Sequence, residues 1–254
     1  MLKNSPSTPR DDAGEKMSFF SHLEELRKRI LWSVLAIGIG FIPTFIYSER
    51  IIKFLARPLP VKLAFLTPTE AFWVNMKVGM IAGLGLALPV VLYQVWAFVS
   101  PGLHRHERRY AAPFVIVGTL FFVIGAAFCL QYVIPFAVRF LLTYKTEDLT
   151  PVISIGSYVD FVLKFTLAFG LIFELPVAIT LASWMGLVTP KFLAKNRKYA
   201  LLINAMVAAM LTPTPDAFNM LLMLAPLCLL YELGIISARV FGKRSKAPIE
   251  ESAP

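Results

Sequence analysis

Charge is scarce in this chain. Only 16% of its 254 residues are charged and 57% are hydrophobic, whereas an ordinary soluble domain carries about 25% charged residues. Disorder requires low hydrophobicity and is excluded on the same ground. Cysteine is nearly absent: Cys129 and Cys228 both sit inside apolar runs, with no CxxC spacing and no histidine nearby, so the pattern gives neither a disulfide framework nor a zinc site. Of three histidines, His104 and His106 lie two residues apart and cannot share a helix face, so no metal pair forms there. Nucleophile elbows, P-loops, HExxH and glycine-rich phosphate loops are all missing. An enzyme reading therefore has no catalytic residues to stand on, and no cofactor is expected. The basic excess, 25 Lys and Arg against 16 Asp and Glu, is broken into short clusters between apolar runs. That arrangement points to a membrane protein rather than a nucleic-acid binder.

What is present is a set of long apolar runs. A bilayer core of about 30 Å needs roughly 20 helical residues, and six runs qualify as candidates: Ile30 to Tyr47, Ala71 to Val99, Ala111 to Leu142, Val159 to Met185, Tyr199 to Leu211 and Ala217 to Ala238. Pro89, Pro113 and Pro135 are expected kinks. The fifth run is too short for an ordinary bilayer, and requires either thinned lipid or ends buried in protein. Residues 1–17 and 243–254 lack apolar periodicity and are expected to be flexible arms flanking a membrane domain at 18–242.

Lys and Arg near span ends stay on the cytoplasmic side. With both termini inside, that side holds 17 basic residues and the other side six. The expected fold is thus an all-α integral membrane protein, N-in and C-in, with short fifth and sixth spans in a concave bundle. Arg50, Lys53, Arg57 and Lys62 in the first outer segment run against the rule. That segment, Ser48 to Glu70, is expected to form a short interfacial helix near Ile51 to Leu55 that caps the bundle. Helix starts are predicted at Ser21-His22-Leu23-Glu24, a capping box, and at Thr67-Pro68-Thr69-Glu70, Thr189-Pro190 and Thr214-Pro215-Asp216.

Ionisable groups at membrane depth are functional candidates by default. Glu174 lies near the middle of the fourth run, two residues before Pro176, where a helix break and a carboxylate coincide. It is either a working group or a structural one paired with Thr166, Thr180, Gln94 or Gln131. At the inner face, Glu24 with Lys28 and Glu25 with Arg29 have the four-residue spacing of helix ion pairs. The same acids, with Glu107, are placed to receive a cationic ligand on a surface that would otherwise repel it. Two carboxylates bind two guanidiniums through bidentate bonds that Lys reproduces poorly.

Five stretches in order, SHLEELRKR, LTPTEAF, LPVVLYQVWAFVSPGLHRHERR, AFGLIFELPV and LTPTPDAF, resemble the TatC family, the multispanning subunit of the bacterial twin-arginine protein translocase. The resemblance runs from Phe19 to Arg239. It implies a core receptor in the cytoplasmic (inner) membrane that binds twin-arginine signal peptides of folded cargo, assembles with TatA- and TatB-type single-span proteins into a multimer, and draws on the proton gradient. It implies that Glu25 and Glu107 are the signal-binding carboxylates, with Glu24 auxiliary and Arg27 and Phe98 beside them. It further implies roles in assembly or transport for Pro58 and Asp216, and identifies Glu174 with the family's intramembrane Glu. A small-solute transporter using Glu174 and Pro176 as a broken-helix site is the alternative, but the two halves of the chain show no convincing repeat.

Overall fold

The computed structural model describes residues 11–60, 63–100, 111–143, 152–211 and 217–241. Among the described residues, ten α-helices and two very short strands follow one another: α1 (Asp11–Ile46), α2 (Ser48–Leu55), β1 (Leu63–Ala64), α3 (Glu70–Val99), α4 (Ala111–Phe128), α5 (Ile134–Leu142), β2 (Ile153–Ser154), α6 (Ile155–Phe173), α7 (Leu175–Trp184), α8 (Pro190–Lys195), α9 (Arg197–Leu211) and α10 (Ala217–Phe241). A single π-helical turn, Cys129–Val133, joins α4 to α5.

Five of the resulting helical stretches are long and apolar enough to cross a membrane: Ser21–Ile46, Glu70–Val99, Ala111–Leu142, Ile155–Trp184 and Met223–Val240. The expected fifth run, now α9, has 15 residues and rises only about 22 Å, so it is not among them. The last stretch lies within α10, whose 25 residues rise about 37 Å, so it is not short as expected.

Helix α1 begins well before the predicted Ser21 capping box, which lies inside it. Helix thus extends into the arm expected to be flexible. The second predicted capping box does not form as such: Glu70 is the first residue of α3 rather than the third, N-cap Thr69 makes no side-chain cap bond, and the Glu70 carboxylate instead accepts from Leu66 N at 2.7 Å and Thr67 N at 3.4 Å in the preceding loop. Pro68 stands two residues outside α3 rather than at its first position. Thr189 caps α8 as expected, its Oγ1 accepting from Phe192 N at 3.2 Å.

Three contacts place the elements that matter for function. Helices α1 and α3 cross at glycine: a Cβ on Gly40 would sit 2.7 Å from Gly83 O, and one on Gly83 would sit 2.8 Å from Phe41 N. Only residues without side chains permit that approach, and Thr44 Oγ1 locks it by donating to Gly79 O at 2.7 Å. The core lies among α3, the π turn, α6 and α10, where Val78, Cys129, Ile134, Val159, Phe169 and Leu227 are buried. The cap, α2, is tied down by Tyr158, whose OH donates to Leu55 O at 2.7 Å, and by Ser48, which donates to Asn75 Oδ1 at 2.7 Å. Beside it, β1 and β2 pair in parallel, Leu63 opposite Ile153 and Ala64 opposite Ser154. The Glu70 carboxylate closes the pair, accepting from Ser154 Oγ and from Gly156 N at 2.8 Å.

Candidate functional site

The first group of polar residues lies where the N-terminal half of α1 meets the end of α3. His22, Glu25 and Arg29 are spaced three and four apart and share one helix face. Gln94 and Phe98, four apart on α3, meet that face. Arg29 is the pivot: Nη2 donates to Glu25 Oε1 at 3.0 Å, and Nη1 donates to Gln94 Oε1 at 3.1 Å. Gln94 is 9% exposed, and it fixes one edge of the guanidinium while the other edge holds the carboxylate. Arg29 Nε is buried without a hydrogen-bond partner among the described residues. The Glu25 side chain is 33% exposed, so it is open to solvent. One turn earlier, the His22 and Phe98 rings stack at 4.4 Å between centroids.

Glu24 and Arg27 lie elsewhere. With Lys28, Leu31, Trp32 and Leu35 they line an open depression, following the 24-27-28-31-35 stripe of α1 and separate from the Glu25 face. Of the two ion pairs read from spacing, Glu25 with Arg29 is present and Glu24 with Lys28 is not among the described residues. Gln94, expected as a partner for Glu174, is engaged by Arg29 instead. The crossing of α1 on α3 brings a guanidinium to it first. Glu107 and Asp216 lie outside the described residues.

The second group is a break in the fourth long helical stretch. Helix α6 ends at Phe173 and α7 begins at Leu175, with Glu174 between them. The cause is local. Pro176 has no N–H and its ring crowds the preceding turn, so the regular ladder stops there. Glu174 Oε1 is buried with no hydrogen-bond partner among the described residues. Thr180, another expected partner, bonds Pro176 O and Ser237 Oγ, each at 2.7 Å. The carboxylate faces α4 at Gly118, where an added Cβ would sit 3.1 Å from Glu174 Oε2 and 2.8 Å from Leu92 Cδ1. Gly118 thus makes room for the acid, and nothing in the sequence marks it apart from other helical glycines. Below the break, Trp96 packs on Phe114 at 4.9 Å and edge-on to Trp184 at 5.6 Å, closing α3, α4 and α7 together.

Pro58, the third expected position, lies just past α2 on a cavity shared with Leu130, Gln131 and Pro135 of the α4 to α5 stretch. No group of three or more His, Cys, Asp or Glu suited to a metal ion occurs among the described residues.

Comparison with known proteins agrees with this architecture. The family model for TatC, Sec-independent protein translocase protein, matches residues 21–226. The Sec-independent protein translocase protein TatC of Desulforapulum autotrophicum is 42% identical over 245 residues, covering 94% of this chain and 90% of the relative. That of Carboxydothermus hydrogenoformans is 43% identical over 226 residues, covering 88% and 93%. A crystal structure of the twin-arginine translocase receptor TatC superposes with a TM-score of 0.74 at 36% identity, covering 86% of this chain and 98% of that one. The chain belongs to the TatC family of Sec-independent protein translocase proteins, and is accordingly a multi-pass membrane component of protein transport and not an enzyme.

Proposed function

We propose that this chain is the core receptor of a twin-arginine translocase in a bacterial inner membrane, taking the paired arginines of a cargo signal at its cytoplasmic face. The observation that carries the reading is the Glu25 carboxylate, one-third exposed and already accepting a charge-assisted bond from a guanidinium at 3.0 Å. A group that holds Arg29 in this way offers the same planar, two-oxygen geometry to an incoming arginine, which a lysine matches poorly. Signal binding is then an exchange. The incoming guanidinium takes the Glu25 oxygen, while Gln94 keeps hold of the displaced Arg29. Glu107 supplies the second carboxylate and Phe98 an apolar wall, whereas Glu24 and Arg27, on the neighbouring stripe, act as an auxiliary rim.

The reading includes six spans with both termini inside, α9 crossing where the bilayer is thinned. The basic residues support that orientation, 17 inside against six outside. Glu174 lines the concave side of the bundle and stabilises polar contacts or water there. TatA- and TatB-type single-span partners assemble around the bundle into a multimer, with Pro58 and Asp216 in assembly or transport, and the proton gradient drives passage. A six-helix bundle is too small to enclose a folded cargo, so partners complete the route.

Site-specific crosslinking of a twin-arginine signal peptide to the reconstituted chain tests the receptor role. The Arg-Arg peptide should crosslink near Glu25 and the Lys-Lys version should not. Glu107→Lys should abolish the crosslink with the protein still inserted. An unchanged crosslink in Glu107→Lys, or equal crosslinking of both peptides, overturns the assignment.

A further inference from the structure

The cap end of the bundle carries arginines that the receptor reading leaves unused. An apolar groove of about 420 Å³ runs between α2, α3, α4 and α6, walled by Phe54, Ile81, Phe122 and Leu167, with Gly85 on its floor. It continues into a second cavity of about 510 Å³ that shares Phe54, Leu55, Leu130 and Gln131 and adds Arg57, Pro58 and Arg139. The two form one depression with an apolar floor and a mouth whose charged side chains are both guanidiniums. Among the described residues, no acid lines either cavity. Neither Arg57 nor Arg139 forms an ion pair among the described residues.

Both guanidiniums have a structural reason to be there. The Arg57 guanidinium lies 5.1 Å from the centre of the Phe54 ring, a cation–π contact that holds its charge over the groove. Arg139 lies in the last turn of α5, beyond the π turn. Pro135 lacks the N–H that would serve Gln131 O in a regular helix, and its ring crowds that carbonyl. The chain answers with a wider turn, in which Ile134 N donates to Cys129 O five residues back. Leu130 and Gln131, within this turn, line both cavities, and such turns are frequent at functional sites.

Basic residues at this end run against the charge bias of the remaining chain. They are retained beside an apolar slot whose volume falls within the range of small-ligand pockets, about 300–1,000 Å³. A whole transmembrane helix is about 10–12 Å across and would not enter it. We propose that the depression binds one anionic phospholipid, an acyl chain in the groove walled by Phe54 and Phe122 and its phosphate between Arg57 and Arg139. The binding is independent of the signal-receptor reading, since it uses the opposite end of the bundle and none of Glu25, Gln94 or Phe98.

Native mass spectrometry of the full chain, purified in detergent and stripped of lipid, tests this with added phosphatidylglycerol and, separately, phosphatidylcholine of equal chain length. One phosphatidylglycerol should be retained in preference to phosphatidylcholine. Arg57→Gln with Arg139→Gln should weaken its retention on the order of twenty-five-fold, about fivefold for each basic residue near a headgroup. The double Lys variant should recover most of it. Arg50→Gln with Lys53→Gln, on α2 but outside both cavities, should leave it unchanged, and Gly85→Leu should block it by filling the floor with no change in charge. Glycerol 3-phosphate, a headgroup without a chain, should bind far more weakly. Equal retention of the two lipids, retention unaffected by the double Gln variant, or equal binding of glycerol 3-phosphate overturns the proposal. So does a single-span protein that co-purifies with the native chain and is lost with the two arginines while lipid retention persists.

Discussion

Glu174 Oε1 is buried without a partner among the described residues, and this decides what its replacement should do. Removing a buried oxygen that has no partner costs little stability, whereas removing one half of a satisfied pair exposes the full desolvation cost of the other. Glu174→Ala should therefore leave the melting temperature in detergent within a few degrees of the native chain, yet lower transport in vesicles severely. A large loss of stability, or full transport, returns the residue to a structural role. Gln94 is the contrasting case. It was legible as a buried polar residue, but its partner was not. Whether it meets Glu174 or Arg29 depends on how α1 rotates against α3, and no spacing within either helix encodes that rotation. The Glu25 to Arg29 pair was legible because both ends lie on one helix, four residues apart.

Between elements, the α1 to α3 crossing rests on two glycines in van der Waals contact with the opposite backbone. Gly83→Leu would drive a side chain into Phe41 N and Cα, which lack the freedom of a side-chain tip. Overpacking of that kind costs about 1–3 kcal/mol. It should lower the thermal midpoint and pull Arg29 away from Gln94. Gly38→Leu, on the partner helix α1 with nothing within 4 Å of its Cβ, should leave the midpoint unchanged. Equal effects from the two substitutions would mean that the crossing is not the point of contact. The spacing Gly79-x-x-x-Gly83 makes close packing available on α3. It did not show that Gly40 was the counterpart, since that pairing is set by where two helices separated by the whole cap segment come to lie. The α6 to α7 break was legible from Pro176 alone, because its cause is covalent and local. The cap helix α2 was legible from its apolar and basic pattern, whereas the β1 to β2 pairing that closes beside it joins residues ninety apart and left no local trace.

For the whole molecule, the proposed orientation makes a prediction of its own. Cys129 is buried and Cys228 partly so, and both are replaceable by Ala to give a background without thiols. Single cysteines introduced at Ser7 and at Ser252 should then react with a membrane-impermeant maleimide only when the cytoplasmic side is open. One at Pro60, beside the cap, should react only from the other side. Labelling of Ser7 and Ser252 positions from opposite sides would remove one span from the count, and α9, about 22 Å long, would be the one to go.

The membrane class, the long apolar runs, the cap, the break at Glu174 and the family were all legible along the chain. Each follows from run length, local covalent chemistry or charge along the chain, and none needs one segment to know where another lies. Which polar groups of different elements meet was settled only by the tertiary structure. It gave Gln94 to Arg29, left Glu174 Oε1 without a hydrogen-bond partner among the described residues, and drew Arg57 and Arg139 to one mouth. These outcomes turn on helix rotation and crossing, fixed by the glycine contacts of α1 on α3, by the π turn before Pro135 and by the packing of the core. A hydrophobic run specifies that a helix is buried or lipid-facing but not which of its polar residues faces which neighbour.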